Sequence, residues 1–382
     1  MRPLRALLGA VVAATLAAAP ASARDWRTWP FTRTSPWNMP IGSNARYADI
    51  PGMSSLGVSL NYDGHWTAKV AVAKSGDPKA TMLFSPAVGS NSTWAFLNGG
   101  GKPCGNSAST DAWLAGAAST TLLYPANYYS TLSTPDTSKW LLPPDYHHAM
   151  QDFRPSFLLP PGTCGSPDSD GFLSVVQPDG WVLDVYASVV LSGNRVLGTM
   201  GSFIDARGDG TGWWSGRRAS MLPSFAGLIR TGELASGRIP HALAVQMSPG
   251  MMKNQADWPA YAFDRNSGYG GTLPMGALLA IPPDVDVTKL GLTPRGVVLA
   301  RAAQDYGVYI VDRGGGNGMN FLAELGNPDI RWTNDWQDLA IVKNHLKQVT
   351  NNTRSTPGGG GTPRVPLAPP FTPAPVDVTV VW

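Results

Sequence analysis

Alternating apolar and polar positions mark the clearest strand of the chain at WVLDVYASVV. There Trp181, Leu183, Val185, Ala187 and Val189 fall on one face, and Asp184, Tyr186 and Ser188 on the other. NRVLGTMGSFID continues in the same β character and delivers Asp205 at its end. Upstream, Trp66, Ala68, Val70 and Val72 alternate with Thr67, Lys69 and Ala71, which predicts a strand opened by His65. Downstream, IPHALAVQM places His241 on one apolar face with Leu243, Val245 and Met247, and YGVYIVD predicts a strand ending in Asp312. Helical signals are fewer. Thr293 as N-cap, Pro294 in the first turn and Gly307 as the stop define one helix. A second is expected over 334–348, burying Trp336, Leu339, Val342 and Leu346, and PSFAGLIRTGEL predicts a short third, closed near Gly237.

Many short strands with two or three short helices predict a mainly β protein, specifically a jelly-roll-like β-sandwich. Residues 1–23 pass from two arginines through an Ala/Val/Leu run to Ala21-Ser22-Ala23, the order of a secretory signal cleaved after Ala23. Residues 24–350 are expected to form one sandwich domain with long loops, and 351–382 a Pro/Gly-rich, mostly disordered tail. The mature start, with three Trp and three Pro, is expected to lie over the domain as a strap.

Composition narrows the partners. Gly 43 and Pro 34 against 14% charged residues describe a chain rich in turns, and 14 Trp suit surfaces that stack on flat, weakly charged ligands such as sugar rings. A net charge of +3 without basic clusters argues against nucleic acid, and no later apolar run reaches the length of a membrane span. Cys104 and Cys164 lie in Gly/Pro-flanked loops of an exported chain, so one disulfide is expected, contributing roughly 4 kcal/mol in the chain-entropy model. No H-E-x-x-H or C-x-x-C occurs, and adjacent His147 and His148 point apart on a strand, so no transition metal and no cofactor is expected. A structural calcium at Asp205 and Asp209 is the alternative, although D-x-x-x-D-G is short of oxygen ligands.

The expected partner is a polysaccharide or cell-wall glycan. Glycoside hydrolysis needs two carboxyl groups flanking the bond, and the candidates are Glu233, Asp205 and Asp184. Glu233 is one of two glutamates in the chain, and its bland reading is a surface carboxylate paired with Arg230. Asp205 reads equally as a turn cap. The alternative reaction is β-elimination on a uronic-acid polymer, with Tyr186 or His241 removing a proton and Arg230 or Arg238 neutralising the carboxylate. A serine hydrolase lacks its G-x-S-x-G. A third reading is a non-catalytic carbohydrate-binding module, with Trp181, Trp213, Trp214 and Trp258 as the platform. Asp312, before G-G-G-N-G, reads as a turn cap or a substrate contact.

Four segments carry a resemblance: S-P-W-N-M-P-I-G at 35–42, G-L-I-R-T-G-E-L-A-S-G-R-I-P-H-A-L at 227–243, L-P-M-G at 273–276 and A-A-Q-D-Y-G-V-Y-I-V-D at 302–312. In these the chain resembles a largely unassigned group of secreted bacterial β-rich proteins. The resemblance implies an extracellular β-sandwich with a carbohydrate-related role and draws attention to Glu233, His241, Asp305, Tyr306 and Asp312. In the group an arginine usually precedes the histidine. Here Pro240 does, which removes a cation from beside His241.

Overall fold

The computed structural model describes residues 23–63, 66–84, 93–104, 156–168, 170–212, 216–264 and 267–371. The expected signal segment up to residue 22, His65, the His147–His148 pair, Trp213 and Trp214 lie outside the described residues.

The run Leu243–Met247, apolar but for Gln246 and buried at all five positions, sits at the heart of a seven-stranded sheet. Across that sheet the strands run Tyr47–Ala48, Lys347–Val349, Leu278–Ala280, Val308–Arg313, Leu243–Met247, Gly318–Leu322 and Gly57–Asn61. Leu243, Val245 and Met247 face a core shared with Leu299 and Ala303 of the helix Pro294–Asp305 and with Leu339 and Val342 of the helix Asp335–Asn344. Ala244 on the opposite face joins Trp37, Tyr309 and Val311 in a second core. A strand covered on both faces reads as continuous hydrophobicity, and this one pairs in parallel with Val308–Arg313.

The second core is closed by a four-stranded sheet ordered Met200–Asp205, Trp181–Tyr186, Leu173–Val176 and Lys69–Val72, which contributes Val70, Val176, Val182 and Ile204. Its far face carries Leu173, Leu183, Val185 and Phe203. These pack with Met82 and Val196 of a smaller sheet that includes Lys79–Phe84 and Arg195–Gly198. The fold is therefore mainly β, in layers, with helices outside the largest sheet. A jelly roll pairs its strands antiparallel, whereas among the described residues five strand pairs are parallel.

Several local expectations are revised by packing. Residues 223–232 are not helical; the helix is confined to Glu233–Ser236 and closed by Gly237 in the left-handed region. The preceding chain turns at 224–227 instead, with Gly227, at φ 67, against Trp37 and Ala244, and is then fixed by the bridge of Ile229 to Ala323. Trp336 is not buried but 64% exposed. Trp332 takes the inner place at that helix start, donating from Nε1 to Asp338 at 2.6 Å. The mature start is more than a strap, since Trp26, Phe31, Trp37 and Ile41 are part of the second core.

Residues 351–371 pack back on the start of the described chain. Gly42 lies so close to Gly360 that a Cβ on it would sit 2.0 Å from the Gly360 carbonyl oxygen, an approach only glycine permits. Arg364 pairs with Asp305 at 3.0 Å, and the Arg24 amide donates to the Pro370 carbonyl at 2.9 Å.

Cys104 and Cys164 form the expected disulfide, with Cα atoms 5.4 Å apart and a sequence separation of 60. Replacing both with serine is expected to lower the free energy of unfolding by about 2–4 kcal/mol, read from urea melts of the two proteins. Equal midpoints would show that the unfolded chain is not constrained by the bridge. Among the described residues no helix is long and apolar enough to cross a membrane.

Candidate functional site

The catalytic candidates Glu233, Asp205, Asp184 and His241 do not share one groove. Asp184, beside Val182 on the strand Trp181–Tyr186, points between the two large sheets and is 0% exposed. Its carboxylate accepts from the Ser174 hydroxyl at 3.0 Å, the Ser224 amide at 2.9 Å and, very closely, the Ser224 hydroxyl. Burial pushes its pKa up, offset by the Ser224 hydrogen bonds and nearby Arg217. It pins the sheet to the 216–228 segment and has no access to a ligand. Asp205 caps its own turn: Oδ1 accepts from the Arg207 amide and from Nε, both at 2.9 Å. Asp209 does the same for Thr211. Among the described residues no group of three His, Cys, Asp or Glu side chains is arranged to hold a metal ion.

Glu233 and His241 do meet. His241 precedes the strand Leu243–Met247, and its Nε2 lies 3.0 Å from Glu233 Oε1, both side chains being largely buried. Its Nδ1 faces the Ala242 carbonyl oxygen at 2.9 Å. Both ring nitrogens thus face acceptors, and only the doubly protonated imidazolium satisfies both. Burial alone would lower the His241 pKa. The Glu233 charge and hydrogen bond and the Ala242 carbonyl outweigh burial and Arg230, so the net shift is upward.

The rest of the Glu233 surroundings is structural. Its Oε2 accepts the Arg230 amide at 2.7 Å, while Glu324 takes Arg230 Nε at 3.1 Å and the Thr231 amide at 3.2 Å. Asp329 takes the Gly232 amide at 2.7 Å. Three carboxylates therefore hold the exposed N–H groups of one turn. The two glutamates of the chain meet at Arg230, Glu233 through the backbone amide and Glu324 through the guanidinium, so the ion pair expected of Glu233 is made by Glu324 and Glu233 is not a surface carboxylate. Asp305 is tied to Arg364, and Tyr306 is buried against Arg238.

A different set of residues gathers around Asp312. Tyr186 donates from its hydroxyl to Asp170 at 3.3 Å, and Asp170 lies within electrostatic reach of Asp168 and Asp312. Asp312 in turn feels Asp264, which pairs with Arg313 at 2.9 Å and accepts from the Tyr269 hydroxyl. Asp170, Asp264 and Asp312 are half-buried. Burial, then the charge of Asp168, pushes Asp170 up to about 7. Burial, then the charges of Asp264 and Asp170, pushes Asp312 up to about 7. Like charges brought together in a partly desolvated place cannot all ionise, so protons are retained near neutrality.

The backbone around this cluster is unusual. Opposite Gln246 the strand Val308–Arg313 carries an extra residue, Val311, so that Gln246 pairs with Asp312. Such bulges re-aim a side chain and are frequent beside active sites. At the same register a polar row crosses four strands, Ser59, Asn320, Gln246 and Asp312. Three non-glycine residues with positive φ border the cluster: Trp66 at 51°, Ala187 at 51° and Met221 at 60°. The Trp66 amide donates to Asp168 at 2.7 Å and its carbonyl accepts from Gln246 at 3.2 Å. The Ala187 amide donates to the Asp170 carbonyl at 2.6 Å. The Met221 amide closes a turn on Arg218, within which the Ala219 amide donates to Asp312 at 3.2 Å. Strain of this kind persists where surrounding structure over-determines it, commonly at ligand sites.

Trp66, 40% exposed, lines a narrow cleft with Thr67, Phe172, Arg218, Gln246 and Asp312. The cleft as it stands is too tight to admit a water-sized sphere. Of the expected platform, Trp181, opposite Asp205, packs against the cluster of Leu183, Val185 and Phe203, and Trp258 is half-buried in a turn joined to Asn352.

Of the residues around this cluster, sequence reasoning singled out Tyr186 and Asp312, in other roles, and did not single out Asp168, Asp170, Asp264 or Trp66. S-P-D-S-D-G at 166–171 reads as a turn. Its carboxylates are collected only because the strands 69–72 and 173–176 run parallel side by side. Compared with known proteins, the chain matches no family model, no curated protein and no solved structure, and the geometry of the site stands by itself.

Proposed function

We propose that the protein hydrolyses a neutral polysaccharide, with the chemistry at Asp170 and Asp312 rather than at Glu233, Asp205 and Asp184. The observation that carries this reading is the gathering of half-buried carboxyls, Asp170, Asp264 and Asp312, beside the exposed Trp66 indole, where burial and neighbouring like charges push Asp170 and Asp312 up to about 7. Glycoside hydrolysis needs one carboxyl that stays protonated to protonate the leaving oxygen, and one carboxylate to act as base or nucleophile. A cluster that holds back protons near neutral pH supplies both forms at once. Trp66 offers an indole face for a sugar ring, and the Tyr186 hydroxyl fixes the orientation of Asp170.

The acidic surroundings disfavour a uronic acid, whose carboxylate they would repel. Burial, then the nearby carboxylates, pushes the Tyr186 hydroxyl well above its ordinary value, which suits a hydrogen-bond donor and not a base. His241 is closed in its ion pair with Glu233. These features favour hydrolysis over β-elimination.

The test is incubation of the protein with soluble glucans, xylan, mannan and cell-wall glycan at about pH 6, below the carboxyl pKa where the acid is protonated. New reducing ends without a rise in ultraviolet absorbance are expected. Absorbing, unsaturated ends would overturn hydrolysis in favour of elimination, and binding without either product would leave a non-catalytic module. Replacing Trp66 with Ala is expected to raise KM about five- to tenfold with kcat within about twofold, the pattern of a lost stacking contact. An unchanged KM would remove the indole from the site.

A further inference from the structure

The helix Asp335–Asn344 presents a surface that the fold does not use. Trp336 in its first turn is 64% exposed, and among the described residues its indole N–H has no protein partner. Beside it lies a cavity of about 310 Å³, lined by Thr293, Asn334, Trp336, Gln337, Ala340 and Ile341. That volume falls in the range of small-ligand sites.

The lining selects a chemistry. Asp338 also borders the cavity, but it is buried, and it accepts from the Thr293 amide at 3.0 Å, the Thr293 hydroxyl and Trp332 Nε1 at 2.6 Å. It offers no free charge. What remains is an indole face, a small apolar patch at Ala340 and Ile341, and the amides of Asn334 and Gln337, both exposed. Asn334 stands at φ 65 before the helix and makes no side-chain cap hydrogen bond, so its amide is not consumed by the helix end. An anion or cation finds no counter-charge in this lining, and a purely apolar partner would bury two amides without partners, which is costly. A flat ring with an apolar face and hydroxyls at its edge fits all three features.

We propose that the Trp336 cavity binds a sugar ring of a neutral polysaccharide, as a surface site that shares no lining residue with the acidic cluster. The proposal rests on this lining and does not require the cluster to be catalytic.

Native affinity electrophoresis of the full chain in gels containing hydroxyethyl cellulose, xylan, glucomannan or soluble starch tests it. At least one polymer is expected to retard the wild type. Trp336→Ala is expected to weaken that retardation about five- to tenfold, Trp336→Phe to keep most of it, and Gln337→Ala to fall between. Because the indole is on the surface, Trp336→Ala should melt with the wild type, which separates lost binding from lost folding. Asp312→Asn should be retarded like the wild type whatever happens to turnover, so failure of the surface site and failure of the catalytic reading are told apart. No retardation by any of the four polymers, or equal retardation of Trp336→Ala, overturns the proposal. So does sedimentation showing that the wild type dimerises and Trp336→Ala does not, which would make a second copy of the chain the occupant.

Discussion

Replacing Asp312 with Asn is expected to lower turnover by about 10²–10⁴-fold, the usual contribution of a positioned general acid or base. Asp170→Asn should fall in the same range, since the two carboxyls share one field. The pH profile carries the sharper signal. A carboxyl that must be protonated and titrates at about 7 gives a rate that falls as pH rises through that value. An Asn in its place removes that limb, leaving a low, flatter profile. Stability changes in the same direction. A carboxyl whose folded pKa is raised contributes stability present in full below its ordinary value near 3.8 and lost as pH rises through about 7. The wild type should therefore melt higher at pH 5 than at pH 8, and the double Asn variant should show less of that gap. Wild-type turnover in both single variants would end the catalytic assignment.

The second large effect concerns folding. Replacing Glu233 with Ala leaves the His241 imidazolium buried without its counter-charge and the Arg230 amide without its acceptor. Breaking one side of such a buried pair costs about 3–5 kcal/mol, measurable as a lowered urea midpoint. The sign with pH follows from His241. Its folded pKa is raised, so its contribution is present below its ordinary value of 6.5 and fades as pH rises through the folded value. The difference between wild type and Glu233→Ala should therefore narrow on the alkaline side. Turnover per folded molecule should stay close to the wild type. A variant as stable as the wild type but inactive would return Glu233 to the chemistry.

The two glutamates show where sequence reasoning reaches its limit. Scarcity made Glu233 conspicuous, yet it says nothing about partners 91 positions away, and Glu324 is what turns Arg230 into the centre of a structural knot. Strands were legible where one residue in two was apolar, as at 181–186. That alternation placed Asp184 opposite the apolar face but not inside the fold, because period two cannot distinguish a face that meets solvent from one that meets another sheet. The helix after Thr293 was readable because its cap is local chemistry: the Thr293 hydroxyl accepts the Gly296 amide as the pattern requires. The acidic cluster was not, since it is assembled from residues 168, 170, 264 and 312 by parallel pairing and a bulge, neither of which leaves a local mark.

The glycines at 358–361, lodged against residues 40–45, and the contact between Arg24 and residues 369–371 bring the two ends of the described chain to one place. The N-terminal segment supplies Trp37 to the second core, yet it is clasped by residues that are synthesised more than 300 positions later. Its final packing therefore waits for nearly the whole chain, a delay that loop-closure entropy makes intrinsic to this connectivity. It also means that a cut elsewhere, with residues 24 and 371 joined by a short linker, would rearrange the order of the chain while leaving every layer of the fold in place.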